Sequence, residues 1–289
     1  MKRRTFIQLS AAGGLVAAAP IAWRLLRRGR RVAPTPAAHA RAAAPPRRFA
    51  DREGNLYDVH AAAGRIDVLS ADGRLHAQTR APLGYPVSMS VDAAGRLFVL
   101  ERGTGRIRLL DRSGAIVGEL GAGLALRSPG DLACGGDLVA VADTLRHRVL
   151  LLEPGGRVVA RLGEDAVGKL RLNGPSSVAI APGGAVYVAD SGNARVMVFA
   201  ASGRLLDVFG GYGRGPGQLL SASCVRLDAG GDAYVSDRVG GCVLRFDAAH
   251  RYRARLTPTL PGGARADVRW LSNRADGSIL YTLEPTARV

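Results

Sequence analysis

Residues that carry chemistry are scarce in this chain of 289 residues. It has 3 Cys, 5 His and 5% aromatics. There is no Cys-x-x-Cys, which excludes a thioredoxin-like redox pair, a c-type haem attachment and a zinc ribbon. There is no His-Glu-x-x-His and no Gly-x-Ser-x-Gly, so neither a zincin helix nor a nucleophile elbow is present. The low aromatic content leaves few platforms for stacking single-stranded bases. Helical periodicity over ten or more residues is absent after residue 50, which excludes an all-α fold. Only Lys2 and Lys169 are lysines, so the positive charge is carried by Arg.

What the chain does have is glycine, 38 of them, at regular intervals. A phrase recurs: a Gly turn, an apolar strand ending in an acid, four loop residues, then Arg and another apolar strand. Its clearest copy runs Gly184-Ala185-Val186-Tyr187-Val188-Ala189-Asp190, Ser191-Gly192-Asn193-Ala194, Arg195-Val196-Met197-Val198-Phe199. The strand-end slot holds His60, Glu101, Asp143, Asp190, Asp237 and Glu284, at steps of 41, 42, 47, 47 and 47 residues. Five residues later stand Arg65, Arg106, Arg148, Arg195 and Cys242. Segments such as Leu97-Phe98-Val99-Leu100 and Val149-Leu150-Leu151-Leu152 are short, apolar and bounded by turns, so they read as strands. A repeat of this length buries its faces only by stacking on its neighbours. Four strands per copy at a period in the forties is the arithmetic of a propeller blade.

The pattern Pro-Ser-Ser-Val-Ala-Ile at Pro175–Ile180, followed by Tyr187–Asp190, Asn193, Arg195 and Phe199, resembles the NHL repeat. The run Asp143-Thr144-Leu145-Arg146-His147-Arg148-Val149 resembles it too, with Arg146 where the family usually has Asn. The Gly-rich tail from Phe209 to Leu219 is similar to the family's inter-blade spacer. The resemblance covers roughly residues 49–289 and implies an all-β, six-bladed β-propeller of NHL type. It does not imply one activity, because the family includes protein binders, RNA binders, extracellular sensor domains and a few lyases.

Antiparallel strands place the loop after the second strand and the blade-to-blade link on one face, the link face. The other hairpin turns lie on the opposite face, the turn face, and are short and Gly-rich. The links vary in length: Gly121–Pro129, Gly163–Pro175, Gly210–Ser221 and Thr257–Asp267. Variable loops on a rigid scaffold are where binding concentrates. The candidate binding residues are therefore Arg102, Arg146, His147, Lys169, Arg171, Tyr212, Arg214 and Arg238, against Glu164 and Asp165. This face is expected to be electropositive and to favour a protein or anionic partner.

The acid–Arg pairs recur in copy after copy, so they read as structural clasps rather than catalytic groups. The departures are His60 in an acid slot and Cys242 in an Arg slot. His60 is a weak metal candidate, because the spacing specifies no partner ligand. Cys224 falls in a first strand and Cys242 in a third, with a second strand between them. Two strand spacings of roughly 9.5 Å exceed the reach of a disulfide.

Net charge is +16, but residues 1–48 hold 11 basic residues and no acid, leaving +5 over the rest. The start, with Arg3, Arg4 and Phe6, resembles a twin-arginine export motif. An uncharged stretch from Thr5 to Trp23 follows, and Ala38-His39-Ala40 is a small-x-small cleavage candidate. These features predict a signal peptide or uncleaved anchor over 1–40, a linker over 41–48 and a propeller over 49–289. The implied location is periplasmic or extracytoplasmic, with membrane contact only through the N-terminal segment. The expected function is a non-catalytic binding or scaffold module without a cofactor or nucleic acid partner. The alternative is a metal-dependent lyase or lactonase-like hydrolase with zinc or calcium in the central channel. For that reading the first strands offer Ser side chains, Asp131 and Arg226.

Overall fold

A computed structural model describes residues 6–9, 15–16, 46–51, 53–163, 168–259, 266–273 and 276–285. Five blades follow one another, each a sheet of four consecutive antiparallel strands. Blade one is β3 (Arg47–Ala50), β4 (Leu56–His60), β5 (Arg65–Leu69) and β6 (Leu75–Gln78). Blade two is β7 (Pro86–Val91), β8 (Leu97–Glu101), β9 (Arg106–Leu110) and β10 (Ile116–Leu120). Blade three is β11 (Asp131–Gly135), β12 (Leu138–Asp143), β13 (Arg148–Leu152) and β14 (Val158–Leu162). Blade four is β15 (Pro175–Ile180), β16 (Val186–Asp190), β17 (Arg195–Phe199) and β18 (Leu205–Gly210). Blade five is β19 (Ala222–Leu227), β20 (Ala233–Asp237), β21 (Cys242–Phe246) and β22 (Tyr252–Leu256).

The expectation of six blades is corrected by this topology. The sixth copy supplies a hairpin, β23 (Ala266–Asn273) with β24 (Ile279–Pro285), not four consecutive strands. The free edge of β24 is paired instead by β1 (Phe6–Leu9), and β1 by β2 (Leu15–Val16). The expected signal or anchor segment is therefore not supported either, because these parts of residues 1–40 are strands of the closing sheet. Arg3, Arg4 and the Ala38-His39-Ala40 site lie outside the described residues. No helix among the described residues is long and apolar enough to cross a membrane.

The first strands β3, β7, β11, β15, β19 and β23 neighbour one another around the ring. The blades pack face to face through second and third strands. Val99, Val141, Val188 and Val235 stand two residues before the acid slot and are fully buried. Each such side chain contributes about 1.5 to 3 kcal/mol relative to an exposed one. The four-residue loops all end in the left-handed region, at Gly64, Gly105, His147, Ala194 and Gly241. At Gly64 a side chain is sterically barred as well, since a Cβ would stand 2.6 Å from the Leu83 carbonyl oxygen.

Candidate functional site

The acid–Arg pair forms in blades three and four, where it holds the link that precedes its own blade. In blades one and two Arg65 pairs with Asp67 and Arg106 with Glu119 instead, and there and in blade five the expected pair is not seen among the described residues. Asp190 is fully buried and accepts from the Asn173 backbone N–H at 2.6 Å, Asn193 Nδ2 at 2.8 Å and Arg195 Nε at 2.8 Å. Arg195 Nη2 then donates to the Arg171 carbonyl at 2.9 Å. Asp143 repeats this with Arg127 N–H and Arg148 Nε, and Arg148 Nη2 reaches the Leu124 carbonyl. Asp237 takes the N–H groups of Leu220, Ser221 and Gly240, and Glu101 takes that of Gly84. The pairs are thus structural, and what they position is the link face.

On that face Arg102, Arg127, Arg146, Arg171, Arg214 and Arg238 are exposed. His147 is exposed, and its Nδ1 accepts from the Gly174 N–H at 2.9 Å. Tyr212 is 77% exposed, on a loop held by Gly213 N–H to Leu219 O, Leu219 N–H to Gly211 O and Gly215 N–H to Gln218 Oε1. Lys169 sits in a short 3-10 turn, Gly168–Leu170, its side chain outside the described residues. Tyr85, Leu145, Leu170 and Val239 are exposed apolar neighbours that sequence reasoning missed. None of the described link-face loop residues between strands is Asp or Glu; Glu164 and Asp165 lie outside the described residues. Arg and Tyr are among the residue types enriched at interface cores.

The channel holds a second arrangement. Arg47, Ser88, Asp131, Ser177 and Cys224 each pair with the residue just before the acid slot, so they occupy one level of the ring. Asp131 is fully buried and accepts from Ser88 Oγ at 2.6 Å, Ser177 Oγ at 2.7 Å, Leu132 N–H at 2.9 Å, Val178 N–H at 3.1 Å and Arg226 Nη1 at 3.0 Å. The Arg226 guanidinium is held above its ordinary pKa by Asp131, against burial, which is the largest influence and lowers it. Arg47, missed in the sequence because it falls in the expected linker, donates Nη1 to the Val87 carbonyl at 2.6 Å. Its signal was positional: it precedes His60 by 13 residues, as Ser88 precedes Glu101 and Ser177 precedes Asp190.

Beyond this layer the channel widens into a cavity of about 340 Å³ on the turn face. Arg226, Met89, Leu132 and Val178 line it with Asp51, Asp92 and Asp228 from the turns. Those three carboxylates already accept their own turns' N–H groups.

His60 Nε2 lies 2.9 Å from Asp67 Oδ2, outside hydrogen-bonding alignment. Among the described residues no three His, Cys, Asp or Glu side chains gather as metal donors. All three cysteines are free, and β20 separates the strands carrying Cys224 and Cys242.

No curated protein matches the sequence. Among solved structures, a streptogramin B lyase is similar with a TM-score of 0.62 at 12% identity, covering 82% of this chain and 75% of that one. Virginiamycin B lyase from Staphylococcus aureus, a catalytically inactive variant with quinupristin, gives 0.60 at 12% identity, covering 86% and 83%. Hydrazine synthase of Kuenenia stuttgartiensis gives 0.58 at 12% identity, covering 88% and 99%. At such identities the likeness is one of fold. The NHL repeat family model matches residues 172–199, which span the end of the link, the first three strands and the Asp190–Arg195 clasp of blade four. The chain is a β-propeller that carries an NHL repeat.

Proposed function

We propose that this propeller is a non-catalytic binding module that engages a protein or anionic ligand through its link face. The observation that carries this reading is the composition of that face. Exposed Arg and exposed Tyr, Leu and Val share the described loops, and no carboxylate stands among them. The clasps support it, because they fix the link backbone before any partner arrives and so reduce the ordering cost of binding. The metal-dependent enzyme reading draws no such support, since the described residues bring no donor trio together.

The test uses an immobilised sulfated polyanion eluted with salt. The triple variant Arg146→Glu, Arg171→Glu, Arg214→Glu should elute at clearly lower salt than the parent. A turn-face triple, Arg74→Glu, Arg112→Glu, Arg157→Glu, changes net charge equally and should elute close to the parent. Equal loss in the two variants would show that bulk charge, not this face, does the binding.

A further inference from the structure

The cavity on the turn face carries a charge pattern of its own, across the Asp131 layer from the link loops. Asp51, Asp92 and Asp228 hold one position in blades one, two and five, the first residue after the first strand, and all three line the cavity. Asp92 pairs with Arg96 at 2.7 Å. Asp51 instead accepts from the Glu53 and Asn55 N–H groups, Asn55 Nδ2 and the Tyr57 hydroxyl. Asp228 accepts from the Gly230 and Asp232 N–H groups. Among the described residues neither Asp51 nor Asp228 has an ion-pair partner. The guanidinium groups nearby are matched to other acids: Arg112 to Glu53 at 2.8 Å, Arg226 to Asp131 at 3.0 Å and Arg245 to Asp232 at 2.7 Å.

Two carboxylates thus stand at the cavity without a paired cation, in a chain whose net charge is +16. Apolar side chains supply the wall: Met89, Leu132 and Val178, from the first strands of blades two, three and four, line a space of about 340 Å³. That volume falls at the lower end of the range for small-molecule sites. Ser272, 3% exposed, also lines it, and among the described residues its hydroxyl has no hydrogen-bond partner. Ionised carboxylates only accept, so they suit a ligand that donates N–H. No three donor side chains converge among the described residues, which fits an organic cation better than a metal ion.

We infer that this cavity binds a small organic amine, its ammonium toward Asp51 and Asp228 and its apolar body against Met89, Leu132 and Val178. The ammonium need not displace any turn hydrogen bond, because a carboxylate oxygen has a second lone pair and charge acts across several ångströms. The apolar body gains by leaving water. This site lies on the opposite face from the proposed partner surface and does not depend on it.

The 3 methionines, Met1, Met89 and Met197, give a direct readout. Met89 lines the cavity, whereas Met197 is fully buried in blade four. Phenethylammonium is titrated into the full chain with isotope-labelled methionine methyl groups, followed by NMR, and Met89→Leu assigns the signal. The Met89 methyl signal should move saturably while that of Met197 stays in place. Phenethyl alcohol, similar in shape but uncharged, should bind at least about fivefold more weakly, and phenylacetate more weakly still. The net positive charge of the chain by itself would favour phenylacetate, so non-specific attraction gives the opposite order. Asp228→Asn keeps an oxygen for the Gly230 and Asp232 N–H groups. It should weaken phenethylammonium at least about threefold and leave phenethyl alcohol unchanged. Arg146→Gln, on the link face, should change neither. No saturable Met89 shift, or binding of the alcohol or of phenylacetate as tight as that of the amine, overturns the site. So does an Asp228→Asn variant that binds the amine like the parent. The polyanion elution test reads the other face and stands or falls separately.

Discussion

The Arg255 guanidinium lies 3.2 Å from the Cys242 thiol and passes it to approach the carbonyls of Arg214 and Gln218 at 3.4 and 3.3 Å. Cys242 fills the slot that Arg148 and Arg195 occupy in their blades, and Arg255 from β22 does their work from the next strand. Replacing Arg255→Ala should cost about 1 kcal/mol, a typical net hydrogen-bond contribution at an exposed site. Denaturant melts would measure the loss, and hydrogen exchange should quicken at Gly213 and Leu219. Adding Cys242→Arg to that variant should restore both readings. If it does not, Arg255 is a surface residue and not a substitute clasp.

The clasp acids carry a larger share of stability. Asp190→Ala removes the acceptor for Asn173, Asn193 and Arg195 together. It also leaves part-buried donors without this partner. We expect a loss of about 3 to 5 kcal/mol, as for a broken buried pair. Asn193→Ala should cost only about 1 kcal/mol. Urea midpoints of the two variants provide the comparison, and similar values would count against the clasp.

In the channel, Asp131→Ala should be among the most damaging single changes, again about 3 to 5 kcal/mol. It strands Arg226 in a buried site without its counter-charge. The double change Asp131→Leu, Arg226→Met should be far milder than Asp131→Ala, because neither charge is then left alone. A double-mutant cycle by denaturant melts reports the coupling. Additive losses would mean that the serines, not Arg226, hold the carboxylate.

Blades four and five are joined by a titratable latch. His250 stacks on Phe209 with ring centroids 4.7 Å apart, and its Nδ1 and Nε2 face Asp207 at 2.5 Å and the Tyr187 hydroxyl at 2.9 Å. The hydrogen bond from His250 is the main cause that lowers Asp207 below its ordinary 3.8. Such a carboxylate contributes stability above its unfolded pKa and loses it as pH falls through the folded one. Between pH 5 and 2.5 the parent should therefore lose more stability than His250→Ala. Urea melts across that range check the sign, and an equal loss would remove Asp207 from the account.

Much of this was legible in the sequence, for physical reasons. Gly54, Gly95 and Gly184 mark turns that need a left-handed residue, so the four-strand unit could be read without a structure. The blade count could not be. The slot at Glu284 looks like any other, yet the second edge of β24 pairs with β1 rather than with a following strand, and pairing between distant segments has no local signature. The clasp was readable as Asp190 with Arg195, but its target, the Asn173 and Arg171 backbone, was not. Main-chain groups are the same whatever the residue. Asp131 and Arg226 stood out as channel residues, while Arg47 was hidden in a run of basic residues and became visible only through its register with Ser88 and Ser177.

The two faces of the ring differ in where they carry carboxylates. The turns place Asp51, Asp92, Asp111, Asp228 and Asp247 on one side among Arg74, Arg96, Arg112, Arg157, Arg204 and Arg251, and the described link loops on the other carry basic residues and no carboxylate. Such a disc has an electrical front and back along the axis of its channel. In a field it turns before it touches. On the proposed reading a negatively charged partner meets the link face first, so that orientation is largely settled during approach and contact has only to find position.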